Sequence, residues 1–181
     1  LLASKSSGRL ATLRAAGVEP LVRVSSVDEE TVLGELIRGR RDAGLPAPSA
    51  AEQVQALARA KALDVMTSTD PQEAEVVVGC DSMLEIAGQV VGKPADAAQA
   101  RERWRMMSGG TGTLHTGHFL VRTADGTTAE GVSSATIRFG SPSPAEVEAY
   151  IASGEPLWCA GAFTIDGLGG AFIEGIDGDP H

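Results

Sequence analysis

Apolar positions along the chain follow two periods. Leu10, Leu13 and Ala16 recur at helical spacing until Gly17 ends the run, and Val54, Leu57, Ala58, Ala62 and Val65 give a longer helix one apolar face. That second helix opens on Ser49-Ala-Ala-Glu52, a capping box in which the serine and glutamate side chains satisfy amides at the helix start. A third helix is expected over Ala95–Met107, closed by Ser108-Gly109-Gly110. A fourth begins at Ser143-Pro144-Ala145-Glu146, with proline at the first helical position, and ends at Gly154. Strand signals fall at Leu1–Ala3, at Leu21–Val24 and at Glu75–Gly79, the last running into Cys80-Asp81. Met83–Ala87 and Val90–Val91 read as a hairpin around Ala87-Gly88-Gln89, and residues 113–123 and 129–139 as a second around Asp125-Gly126. Residues 39–48 read as a flexible connection, and residues 160–178 as short apolar pieces punctuated by glycine. Hairpins mixed among helical crossovers imply an α/β chain with a mixed sheet.

Composition narrows the function classes. The 181 residues fit one domain, or one with two lobes. Fifteen basic residues against 24 acidic ones leave a net charge of −9. A chain that binds duplex nucleic acid non-specifically needs a basic face, so a nucleic-acid partner is not expected. Aromatic content of 4% argues against a stacking platform for single strands. No apolar run reaches the ~20 residues that span a bilayer, and no signal peptide opens the chain, so a cytoplasmic protein is expected. Leu1 is not a natural start, which implies a missing initiator methionine. Cys80 and Cys159 sit in apolar surroundings and read as reduced core thiols. Three histidines without a Cys-x-x-Cys partner make no convincing zinc site, and His115 and His118, three apart in a strand, face opposite sides and read as structural.

Several residues could carry chemistry. Ser4-Lys5-Ser6-Ser7-Gly8-Arg9 lies between a strand and a helix. This arrangement offers free backbone amides and the positive end of a helix dipole to an anion, with hydroxyls and Arg9 as further donors. Equally, Ser6 or Ser7 is an ordinary N-cap and Arg9 a solvated side chain. Asp81, directly after a buried strand, could hold a hard divalent cation or act as a general base; as a turn residue it would be capped by the amides of Ser82 and Met83. Only Lys5, Lys61 and Lys93 of the 15 basic residues are lysine. Lys61 lies in an otherwise apolar helix stretch and Lys93 before Pro94, where each is a compact point charge suited to phosphate or else a snorkelling side chain. An ammonium 4 Å from a phosphate oxygen gains about 4 kcal/mol at an effective dielectric of 20, so several are needed to offset the global repulsion locally. Asp28-Glu29-Glu30 could add a carboxylate to a metal site or form a solvated face.

In combination and order these residues resemble the Maf family of nucleotide pyrophosphatases, also described as septum-formation-inhibitor proteins. The resemblance is carried by Leu-Ala-Ser-Lys-Ser with Arg9, Val27-Asp28-Glu29, Leu57-Ala58 with Lys61-Ala62, Gly79-Cys80-Asp81-Ser82, Gly92-Lys93-Pro94, Ser108-Gly109, Thr116-Gly117, Thr136 with Phe139, Tyr150, Gly154-Glu155-Pro156, Ala160-Gly161 and Gly178-Asp179. It covers nearly the whole chain and implies a single domain over 1–181. The implied fold is α/β: an elongated mixed sheet flanked by helices around a central nucleotide-binding cleft, Maf/ITPase-like. The implied activity is hydrolysis of nucleoside triphosphates, normal or modified, between the α- and β-phosphates, with Mg²⁺ or Mn²⁺. Carried over by position, Asp81 would be catalytic, Ser4, Arg9, Lys61 and Lys93 would bind phosphates, and Glu29 would join Asp81 at the metal. A homodimer is compatible with the resemblance.

Departures from the family pattern bear on substrate. Where the family reads Ser-Pro-Arg-Arg, this chain has Ser6-Ser7-Gly8-Arg9, and Gly112 replaces a frequent histidine. Thr164-Ile165-Asp166-Gly167 puts a carboxylate where the dTTP- and UTP-preferring branch carries glutamine. Asp166 can only accept hydrogen bonds, which suits a base edge rich in N–H, guanine-like rather than uracil or thymine. The chain stops at Pro180-His181 where relatives continue into Gly-Leu-Pro-Leu, so a cleft-lining end is expected to be missing. The alternative function is a regulator of septum formation that binds nucleotide or protein without turnover.

Overall fold

The computed structural model describes residues 1–179. In chain order it holds α1 (Ser7–Ala15), α2 (Glu29–Asp42), α3 (Ala50–Met66), β1 (Val76–Ile86), β2 (Gln89–Val91), α4 (Ala97–Met107), β3 (Thr111–Arg122), β4 (Thr128–Phe139), α5 (Pro144–Ala152) and β5 (Ile173–Asp177), with three short 3₁₀ turns between α5 and β5. The five strands make one sheet in the order β2-β1-β3-β4-β5. β1 runs antiparallel to β2, with Ile86 opposite Gln89, and β4 antiparallel to β5. The five-stranded sheet is antiparallel rather than mixed, the parallel pairing being confined to isolated bridges from Leu2 to Val22 and Val78. The segments expected as strands at 1–3 and 21–24 are thus reduced to single bridges.

Helix starts follow the sequence closely because their caps are local. Ser49 and Glu52 close the expected box on α3, and Ser143 and Glu146 do the same on α5. Two expectations need correction. The connection at 39–48 begins four residues later, because α2 continues through Asp42 and is capped at its start by Asp28. β1 does not stop before Asp81 but runs through it to Ile86, since no glycine or proline follows Gly79 to break the run.

The chain divides into two compact units, one of residues 1–81 and 116–132, the other of residues 82–115 and 133 onward. The core of the first is Ala3, Ala58, Ala62, Val65, Val77, Phe119 and Val121. Here α3 lies hard against the strands. A Cβ on Gly79 of β1 would stand 2.1 Å from the Ala58 carbonyl oxygen, and one on Gly117 of β3 2.5 Å from the Val54 carbonyl. Glycine on the strands and alanine on the helix therefore let backbone meet backbone. The second unit is built around Trp104, which stands edge-on to Phe139, Tyr150 and Phe172 and donates its indole N–H to the Ala162 carbonyl at 3.0 Å.

Candidate active site

The close approach of α3 to β1 brings one cation onto two carboxylates. Val77, Gly79 and Asp81 alternate onto one face of the pleat, and the first of them packs in the same core as Ala58 and Ala62 of α3. Lys61, one helical turn from Ala58, then reaches Asp81, its Nζ 2.5 Å from Oδ1. The same Nζ lies 2.7 Å from Oε1 of Glu29, the first residue of α2. The side chains of Lys61 and Asp81 are 14% and 10% exposed, whereas that of Glu29 is 52% exposed. Burial pushes the Asp81 carboxyl above its ordinary value; the Lys61 charge and hydrogen bond and the Arg9 charge draw it back, Glu29 pushes the same way as burial, and the outcome is a raised pKa.

The opening loop is tied to the same strand. Ser4 is buried, and its Oγ accepts from the Ser6 amide at 3.2 Å and from Arg9 Nη1 at 3.0 Å. Arg9 Nη1 also donates to the Cys80 carbonyl at 2.9 Å, one residue before Asp81. Ser6 is the N-cap of α1, its hydroxyl accepting from the Arg9 amide at 3.4 Å. The capping role and the gathering of Ser4 and Arg9 beside β1 therefore coexist. The structure brings Ser4, Arg9, Glu29, Lys61 and Asp81 together in the first unit.

Lys93 and Asp166 belong to the second unit, and both are exposed. The main chain of Lys93 is held by Arg103, whose Nη2 donates to the Lys93 carbonyl at 3.2 Å. Asp166 sits in a turn where its amide donates to Thr164 Oγ1 at 3.2 Å. Two anchors in this unit escaped the sequence reading. Glu155 accepts from Tyr150 Oη at 2.9 Å and from the Leu168 and Gly169 amides at 3.0 Å each, closing the turn that carries Asp166. Arg103 interrupts an otherwise apolar stripe of α4, and that break in the pattern was the available signal. His115 bonds Ser134 Oγ through Nδ1 at 2.8 Å, and burial lowers the His118 pKa. Both cysteines are free thiols.

Among the described residues no group of three or more histidine, cysteine or carboxylate side chains is placed to hold a metal ion. The carboxylates at the site are Asp81 and Glu29, which share the Lys61 ammonium. No helix among the described residues is long and apolar enough to cross a membrane.

The arrangement can hold a polyanion, through Ser4, Arg9 and Lys61, beside a buried carboxylate able to take a proton from water. The family model described as "Maf-like protein" matches residues 1–181. A nucleoside triphosphate pyrophosphatase of Mycobacterium sp. (strain JLS) is 50% identical over 185 residues, covering 99% of this chain and 84% of the relative. Proteins of the same name from Salinispora tropica and Streptomyces coelicolor are 49% and 48% identical, again over 99% of this chain, and over 75% and 80% of their own lengths. With the family model matched over residues 1–181 and relatives about half identical over nearly the whole chain, the chain belongs to the Maf-like family.

Proposed function

We propose that this protein is a nucleoside triphosphate pyrophosphatase that hydrolyses the bond between the α- and β-phosphates, giving a nucleoside monophosphate and pyrophosphate. The observation that carries the reading is the Lys61 ammonium held between Asp81 and Glu29, beside the Ser4–Arg9 loop. The relatives' shared name supports it.

In this reading the charged groups change partners as substrate arrives. Triphosphate oxygens compete with Asp81 and Glu29 for the Lys61 ammonium. Ser4 Oγ, Arg9 and the first amides of α1 add donors. Release of Lys61 leaves the buried Asp81 carboxylate a stronger base, because the charge that lowered its pKa has moved to the substrate. Asp81 takes the proton of the attacking water as the new oxygen–phosphorus bond forms at the α-phosphate. The bond from that phosphorus to the bridging oxygen breaks, and pyrophosphate leaves with its charge balanced by lysine. Lys93 contributes to phosphate binding, and Asp166 accepts N–H groups of a guanine-like base edge.

A divalent cation fits this donor set. Mg²⁺ and Mn²⁺ take hard oxygen ligands, and Mg²⁺ commonly uses one or two carboxylates with retained waters and substrate phosphates. Asp81 and Glu29 would hold it, and when bound it would neutralise triphosphate charge and polarise the phosphoryl oxygens.

The test is pyrophosphate release from a panel of normal and modified triphosphates, with and without Mg²⁺ or Mn²⁺, wild type beside Asp81→Asn. Metal-dependent release lost in the variant is expected. No release from any substrate by the wild type would favour a regulator that binds without turnover.

A further inference from the structure

Arg103 occupies a position where its charge serves no packing purpose. The inward stripe of α4 is Ala100, Arg103, Trp104 and Met107, spaced i, i+3, i+4, i+7. Arg103 is only 7% exposed. Its neighbours Arg101 and Arg105 pair outward with Glu148 and Glu102. No carboxylate among the described residues forms an ion pair with Arg103, and burial alone pulls its pKa down. A buried guanidinium without a counter-charge is costly, and an unbranched apolar side chain such as methionine would fill the same space without that penalty.

Its guanidinium donates to neutral oxygens on one short loop and the helix start behind it. Nη1 donates to the Gly92 carbonyl, and Nη2 to the Lys93 carbonyl at 3.2 Å and to Gln99 Oε1 at 2.9 Å. The Gly92 carbonyl also receives the Gly161 amide at 3.0 Å, and Gln99 Oε1 the Ala95 amide at 2.9 Å. One planar fork therefore spans the main chain on both sides of the Gly92–Lys93 peptide. A lysine in its place could reach one of these acceptors but not hold all three in fixed directions.

We infer that Arg103 is a positioning residue for Lys93: its buried fork fixes the Gly92–Lys93 main chain so that the Lys93 ammonium is presented to the triphosphate. The inference rests on the reading of Lys93 as a phosphate-binding residue. It accounts for a buried charge that stability alone does not require, and it places a substrate-binding function one residue deeper than the substrate itself.

The experiment is a double-mutant cycle on purified protein, with kcat, KM and melting temperature measured for wild type, Arg103→Met, Lys93→Met and the double variant, and Arg103→Lys as the conservative exchange. Arg103→Met is expected to lower kcat/KM about tenfold, chiefly through KM, with Arg103→Lys intermediate. Once Lys93 is methionine, the further loss on removing Arg103 should be less than about twofold. Additive losses, or an activity loss that follows melting temperature across the set, would overturn the inference. If Arg103→Met does not fold, the same cycle is closed with Arg103→Lys. A Lys93→Met variant with unchanged kcat/KM would overturn this inference and the phosphate role of Lys93 together. Asp81→Asn, measured alongside, reports separately on the hydrolase reading.

Discussion

Replacing Lys61 by methionine removes the cation on which the candidate site is built, and the structure sets the size of the effect. Asp81 and Lys61 are both largely buried and 2.5 Å apart. Removing one partner of a buried pair costs about 3–5 kcal/mol because it strands the other charge. The 14% exposure of the Lys61 side chain puts this case at the low end, about 3 kcal/mol at pH 7. Glu29 adds little, since at 52% exposure its attraction is screened and worth under about 1 kcal/mol. Loss of the Lys61 charge pushes the Asp81 pKa further up. The sign of the pH dependence follows from that shift. The folded chain already holds the Asp81 proton more tightly than the unfolded chain does, so Asp81 favours folding most at low pH and loses that contribution as pH rises through its folded pKa. Without Lys61 the loss deepens at neutral pH and fades on acidification, where Asp81 is protonated. Urea denaturation reads this directly: with an m-value of about 2 kcal/mol/M, the midpoint should fall by about 1.5 M at pH 7 and by much less near pH 4. In an Asp81→Asn background the Lys61→Met exchange should cost less than about 1 kcal/mol. An equal loss in both backgrounds, or a loss that does not shrink with acid, would refute the reasoning.

Two further outcomes are expected. Gly79→Ala would drive a methyl group into the Ala58 carbonyl, 2.1 Å from the position of the new Cβ, forcing α3 off β1; a loss of about 3 kcal/mol or more by denaturant titration should accompany lost turnover, and a well-folded active variant would show that this contact does not set the site. Asp166→Asn turns an acceptor-only side chain into one that also donates, so the kcat/KM ratio of GTP over UTP should fall by about tenfold; an unchanged ratio removes Asp166 from base recognition.

The sequence revealed most where structure is set locally. The capping boxes at Ser49 and Ser143 and the Ala87-Gly88 turn depend on neighbours within four residues, and all three lie where their residues put them. The apolar face of α3 was equally legible, every one of Val54, Leu57, Ala58, Ala62 and Val65 being buried. α2 went unread although Val32, Leu33, Leu36 and Ile37 recur at helical spacing, and none of its residues is fully buried. The extent of β1 was misjudged because a carboxylate in a strand centre looks like a turn until its partner on α3 is known. At the site, the types of Ser4, Arg9, Lys61 and Asp81 pointed to phosphate chemistry. That Lys61 pairs with both Glu29 and Asp81 needed tertiary contacts 32 and 20 residues apart in sequence. Glu155 stood in a recognised segment and Arg103 broke an apolar stripe, but the main-chain groups they hold could not be read from either signal.

The central claim is that this charged cluster cleaves triphosphates between the first and second phosphates. Phosphorus NMR of the products, wild type beside a folded Asp81→Asn variant, tests it most directly. The account predicts monophosphate and pyrophosphate in equal amounts, with the rate down by at least about a hundredfold in the variant. Diphosphate with inorganic phosphate as products, or a variant that keeps most of its rate, would contradict it.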